Sequence, residues 1–225
     1  MKIITGKDGS NIAILETDNC ICRFIEETGK LAHDGNLLPL VLRHISKGDV
    51  VIDVGSFCGD HTIAYAKAVG NGGTVIALEP SKDAFECLVY NMQDVRHIVV
   101  CVNKGLGSEN KRMSIQKVET NDGMNYLVDG DDIEVIRLDD YKLVKLNFMK
   151  IDCEGHELEV LKGAEKTIEK FRPKMLIEIN QMTLERSGIS RQDIYKWLDT
   201  HGYRYENIYA KQGLDEYQMD IICLP

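Results

Sequence analysis

Val50-Val51-Ile52-Asp53-Val54-Gly55-Ser56-Phe57-Cys58-Gly59-Asp60 reads as an apolar strand that runs into a turn carrying two glycines. Thr74-Val75-Ile76-Ala77-Leu78 and Met175-Leu176-Ile177-Glu178-Ile179-Asn180 have the same character. Strands this apolar without alternation are those buried on both faces. Helical patterns separate them. Residues near 60–69 follow the first strand, and residues near 82–92 carry Phe85, Leu88, Val89 and Met92 at helical spacing. A third strand is expected at Ile98–Val102. Strand–helix alternation of this kind builds a doubly wound, mostly parallel α/β sheet.

Beyond residue 105 the rhythm changes. Met113–Val118 and Ile133–Leu138 read as short extra strands around a polar loop within residues 105–145. Phe148–Cys153 is then a strand, and a helix near 156–170 places Leu161, Ala164, Ile168 and Phe171 on one face. Ser190 and Asp193 form a capping-box-like start for a helix that Gly202 ends. Arg204–Tyr209 and Gln218–Leu224 finish the chain as an antiparallel pair. Upstream, a helix is expected over 36–46. Residues 1–35 read as a β-hairpin or irregular extension, with weak strand signals at Ile12–Ile14 and Ile21–Arg23, so that Cys20 and Cys22 would share a strand face. Residues 36–225 are expected to form a single domain.

The 225 residues carry a net charge of −9, which argues against a nucleic-acid or anionic-membrane partner. Seven cysteines follow neither a disulfide framework nor a zinc spacing and read as reduced thiols. Neither a signal peptide nor a membrane-spanning run is apparent. A cytoplasmic protein is expected. Oligomeric state stays open, with a homo-oligomer allowed.

Ligands of such sheets bind beyond the carboxyl ends of the strands. At the first strand end, Asp53, Gly55, Ser56 and Gly59 surround a tight turn that lets backbone approach a ligand. Glu79 ends the second strand 24 positions after Gly55 and could accept hydrogen bonds from ribose hydroxyls. The pattern is not Gly-x-Gly-x-x-Gly: Phe57 occupies the middle glycine position, which disfavours a pyrophosphate and hence NAD(P). Asp152, Glu154 and His156 crowd the fourth strand end as candidates to orient an acceptor, remove its proton or bind a cation. Alternatively, Asp152 or Glu154 could simply cap the following helix. No metal is expected. Glu178, a carboxylate in an apolar strand, needs a partner and either faces the same pocket or is a satisfied structural group. Lys142, Lys145 and Lys150 read as a solvated face or a strand's outer edge.

The segments VVIDVGSFCGDHT, VIALEPS, VNKGLGS, VIRLDDY, FMKIDCEGHELEVLKGA and MLIEIN, over roughly residues 48–180, resemble the FkbM-type methyltransferases. Phe57 and Cys58 depart from that family's pattern. The resemblance implies a Rossmann-like class I methyltransferase fold. It implies S-adenosylmethionine as cofactor and O-methylation of a hydroxyl on a small molecule or sugar. It places Asp53, Gly55, Ser56 and Gly59 on the methionine side, Glu79 at the ribose, and Asn103, Lys104 and Leu106 near the adenine. Asp152, Glu154 and His156 would face the transfer site, with His156 first among the candidate bases. A non-catalytic S-adenosylmethionine-binding protein and an NAD(P)-dependent oxidoreductase are the alternatives.

Overall fold

The computed structural model describes residues 1–16, 20–31, 37–118, 121–208 and 218–225. The parts of the N-terminal extension at residues 17–19 and 32–35, residue 36 of the expected helix and Tyr209 of the expected strand lie outside them. The chain opens with a hairpin, β1 (Lys2–Thr5) and β2 (Asn11–Ile14), then α1 (Cys20–Thr28) and α2 (Leu37–Leu42). Strand and helix then alternate through β3 (Val50–Val54), α3 (Thr62–Val69), β4 (Thr74–Leu78), α4 (Lys82–Asn91) and β5 (Val99–Val102). Four short strands follow: β6 (Gly105–Leu106), β7 (Lys111–Gln116), β8 (Tyr126–Asp129) and β9 (Ile133–Ile136). Next come β10 (Phe148–Ile151), α5 (Glu157–Gly163), α6 (Glu165–Phe171) and β11 (Lys174–Asn180). The chain closes with α7 (Gln181–Arg186), α8 (Arg191–Thr200), β12 (Arg204–Asn207) and β13 (Gln218–Leu224).

Among the described residues the main sheet has the order β12-β13-β11-β10-β3-β4-β5. The five strands from β5 to β11 run parallel, and β13 lies antiparallel to both β11 and β12. Strand order reverses between β3 and β10, so a crevice opens at their carboxyl ends. Side chains alternate between two apolar layers, as strand geometry requires. Ile52, Met149, Ile151, Met175 and Ile177 pack with Leu161, Ile168, Ile194 and Leu198 on one face. Val51, Val75, Phe148 and Leu176 pack with Tyr65, Val69 and Leu88 on the other. This double burial is the reason the strands are apolar without alternation.

Four local expectations need correction. Ile21–Arg23 belongs to α1, not to a strand: Cys22 and Ile25 are buried with Ile21 and Phe24 packed beside them, which is helical spacing. The helix over 36–46 stops at Leu42, where bonds from His44 to Val41 and from Ile45 to Leu42 tighten the chain into turns. The helix over 156–170 is two helices. Gly163 lies against the Gly107 carbonyl, where a Cβ would come within 1.8 Å. Asp139 then caps a new helix by accepting from the amides of Lys166 and Thr167 at 3.1 and 2.8 Å. Lys150 is buried rather than on an outer edge, because β10 is a central strand.

The four short strands form a separate sheet, β6-β9-β7-β8. The N-terminal hairpin packs on α4 through Asn91. That amide accepts from Ala13 N at 2.7 Å and donates to the carbonyls of Ala13 and Cys58, both at 2.8 Å. Asn91 thereby ties the hairpin to the glycine turn after β3. Each such bond is worth ~1 kcal/mol, more when its loss strands a buried group such as the Ala13 backbone. Asn91→Ala is expected to cost about 2–4 kcal/mol and to lower the melting temperature by several degrees. It should also speed proteolysis within residues 1–16. An unchanged melting temperature and cleavage rate would remove this role.

Candidate active site

A cavity of about 640 Å³ opens at the carboxyl ends of β3, β4 and β10. Gly55, Ser56, Phe57, Glu79, Lys104 and Leu106 line one end of it, and Asp152, Glu154, His156 and Glu178 line the other. The predicted residues outside its lining are Asp53, Gly59 and Asn103.

The first end is held by backbone. Gly55 has φ +77°, and a Cβ there would come within 1.8 Å of the Asp152 carbonyl, so only glycine lets the ends of β3 and β10 approach this closely. The amides of Gly55 and Ser56 both donate to the Leu78 carbonyl at 3.1 and 3.0 Å. Phe57 turns through φ 47°, and its amide donates to Glu79 Oε2 at 2.9 Å. The Ser81 amide donates to Oε1 at 2.8 Å, so the Glu79 carboxylate clasps the turn while facing the cavity. Burial outweighs these two bonds and pushes Glu79 up to about 7. Phe57 packs against the N-terminal apolar cluster and leaves the cavity open.

The three absent residues support the wall from behind. Asp53 is fully buried, accepts from Thr62 Oγ1 at 2.6 Å and lies 3.7 Å from Lys150 Nζ. A Cβ on Gly59 would strike Met92 and Leu88, so that glycine faces α4. Asn103 donates to the carbonyls of Glu79 and Pro80 at 2.8 and 3.1 Å and bridges two strand ends.

The second end is acidic. Carboxylate oxygens of Asp152, Glu154 and Glu178 lie within 4.8 Å of one another. Glu178 therefore does face the pocket of Asp152 and Glu154. Burial, then the charges of Asp152 and Glu157, pushes Glu154 up to about 8. Burial, then Asp152 and Glu154, holds Glu178 well above the usual carboxylate range. Glu154 itself sits at φ 56°, with Gly155 at φ 101° beside it. The capping role falls to neither Asp152 nor Glu154. The helix has no side-chain cap, and Glu157 Oε1 instead accepts from the amides of Cys153 and Gly155 in the loop before it, at 3.1 Å each. His156 stands at the start of α5 without a capping bond, and burial lowers it to about 4.

Three features of this wall escaped the sequence. Arg186 donates to the Glu154 carbonyl at 2.8 Å and lies 3.6 Å from the centre of the Tyr126 ring, fastening the small sheet to the acid loop. Nothing local marks that pair. The N-terminal segment contributes Leu15, Cys20 and Ile21 to the cavity. Lys150 did leave a signal. A charged residue inside Phe148-Met149-Lys150-Ile151 is the same oddity as Glu178 inside its own apolar strand.

The strand order, with its reversed β13 and its cavity at the switch point, defines a class I methyltransferase fold. Residues 48–205 match the methyltransferase FkbM domain, and the chain belongs to that family. Hexuronic acid methyltransferase AglP of Haloferax volcanii is 29% identical over 180 residues, which are 75% of this chain and 69% of AglP. The methyltransferase FkbM from Methylobacillus flagellatus superposes with a TM-score of 0.56 at 19% identity, over 80% of this chain. The chain spans 44% of the length of that protein. A Streptococcus mutans protein described as a methyltransferase, in complex with SAH, gives 0.54 at 9% identity over 83% of this chain and 94% of its own. S-adenosylmethionine is the cofactor. The chain's residues fit it: each Glu79 oxygen accepts one amide and keeps a lone pair for a ribose hydroxyl, beside a backbone turn without a pyrophosphate cradle. No described helix is long and apolar enough to cross a membrane.

The crowded acids predict how stability varies with pH. An acid whose pKa folding raises stabilises the fold below its unfolded pKa, and this is lost as pH climbs through the folded one. For Glu79 and Glu154 that window runs from the ordinary glutamate value of 4.5 to about 7 and about 8. His156 acts at the other end, its contribution being lost as pH falls through about 4. The melting temperature of the ligand-free protein is expected to fall by several degrees from pH 6 to about pH 9, and less so in Glu154→Gln. A flat or rising profile would contradict these placements.

Proposed function

We propose that the protein transfers a methyl group from S-adenosylmethionine to an oxygen of a sugar-like acceptor. One observation carries this reading: a single cavity joins the Glu79-clasped turn to the acid loop. Gly55, Ser56, Glu79, Lys104 and Leu106 hold the donor, with Asp53, Gly59 and Asn103 supporting them. Asp152, Glu154 and His156 face the acceptor. A sugar acceptor, hexuronic acids first, is supported by the relation to AglP.

When bound, the cofactor supplies a methyl already activated on a sulfonium. The chain's own tasks are to align the acceptor oxygen, exclude water and take up a proton. His156, at about 4, is an uncharged imidazole at neutral pH and a weak base. Glu154, at about 8, grips a proton more strongly once ionised and is the better base. His156 then orients the acceptor as a neutral hydrogen-bonding group.

S-adenosylhomocysteine at a hundredfold over its dissociation constant is expected to add about 2.7 kcal/mol of stability, a rise of several degrees in melting temperature. NADH should add nothing, and Glu79→Gln should lose the rise. Absence of any rise from S-adenosylhomocysteine would refute the donor site. With a panel of hexuronic acids and hexoses, Glu154→Gln is expected to lower turnover by about 10²–10⁴-fold, and His156→Asn by less than about tenfold with the same pH profile. The reverse ranking would make His156 the base.

A further inference from the structure

Deep in the central strand sits a lysine that the donor and acceptor roles above leave without a task. We propose that Lys150 is a positioning residue of methyl transfer, one ammonium that ties the donor-binding turn to the acceptor-facing acid loop. This role rests on the methyl-transfer reading above.

Its Nζ donates to the Gly55 carbonyl at 3.1 Å and lies 3.0 Å from Asp152 Oδ2 and 3.7 Å from Asp53 Oδ1. The first contact belongs to the glycine turn, the second to the acid loop, and the third to the floor beneath both. Lys150 is also paired in register with Asp53 across β10 and β3. The residue is 5% exposed, and Phe148, two residues earlier on the same strand face, packs in the apolar layer. Burying an ammonium costs several kcal/mol unless partners compensate, whereas an apolar side chain there would cost nothing. The compensation lies in the two groups whose relative position matters for transfer.

The charge around Lys150 is one-sided. Asp53 and Tyr65 lie beside it, Asp152 touches it, and Glu154, Glu157 and Glu178 crowd behind Asp152. Among the described residues, Lys150 is the cation that pairs with Asp152, and its loss would leave that carboxylate facing Glu154 and Glu178 without this counter-charge. The Gly55 carbonyl would lose its side-chain anchor. Both ends of the cavity would loosen together.

Three variants test this: Lys150→Met, Asp53→Asn, and the two combined. The double variant removes the ammonium with one carboxylate, keeps the buried net charge and is expected to fold even where Lys150→Met does not. S-adenosylhomocysteine affinity is measured calorimetrically from pH 6 to about pH 9, the range in which Glu79 and Glu154 titrate. Lys150→Met, where it folds, is expected to bind at least about tenfold more weakly than wild type, and the double variant at least about tenfold more weakly than Asp53→Asn, which serves as its reference. Loss of a neighbouring cation makes carboxylates hold protons more tightly, so the pH-dependent limb of binding should move up by about half a unit or more. Affinity within threefold of its reference at every pH, in a folded variant lacking Lys150, overturns the role. So does weaker binding with the limb unmoved, which marks a merely structural group. Wild-type protein that fails to bind S-adenosylhomocysteine overturns the functional reading, and this role falls with it.

Discussion

The site depends on how closely the carboxyl ends of β3 and β10 approach each other. Gly55 lies against the Asp152 carbonyl with no room for a Cβ, and the sheet brings the two strands together in register up to Val54 and Ile151. Neighbouring parallel strands diverge beyond a switch point, and here they diverge from a pinned start. Everything that faces the cavity hangs from that pin. The glycine turn rises on one side, held by the Glu79 carboxylate through the Phe57 and Ser81 amides. The acid loop rises on the other, folded back by Glu157 through the Cys153 and Gly155 amides. In each turn a carboxylate gathers backbone amides, which is how an irregular backbone keeps its polar groups satisfied.

Charge is the second constraint. Asp152, Glu154 and Glu178 converge within 4.8 Å. Burial and the neighbouring acids strengthen the hold of Glu154 and Glu178 on a proton. A protein selected for stability alone would not assemble them, and such clusters are typical of functional sites. The cost is limited on one side by the Lys150 ammonium and on the other by Arg186, which lies 3.9 Å from Glu154 Oε2. The second cation also carries the Tyr126 ring, so the small sheet is fastened to the element whose charge it helps to balance.

The walls of the cavity come from parts of the chain remote in sequence. The N-terminal segment reaches it through Leu15 and Ile21, the small sheet through Ile115, Tyr126 and Leu127, and α7 through Met182. Loops and insertions of this kind usually set specificity, while the strand ends set the chemistry. The division is visible in the fastening of each part. The strand ends are locked by backbone packing. The N-terminal hairpin relies heavily on Asn91, a single amide with three hydrogen bonds.

The amino-acid sequence by itself determined the sheet and the position of its pocket. Apolar runs, helical spacing and glycine turns are local properties, and a doubly wound sheet follows from their alternation. Glu79 and the Asp152–His156 cluster were legible for the same reason: each sits at the end of a strand whose direction was known. What the tertiary structure alone decided is which groups meet. Asp53, Gly59 and Asn103 belong to the right segments yet support the wall from behind, because side-chain direction depends on the turn that carries it. Burial likewise decided the weakness of His156 as a base and the counter-charge role of Lys150. Burial is a property of everything packed around a residue, and no stretch of sequence contains its own surroundings.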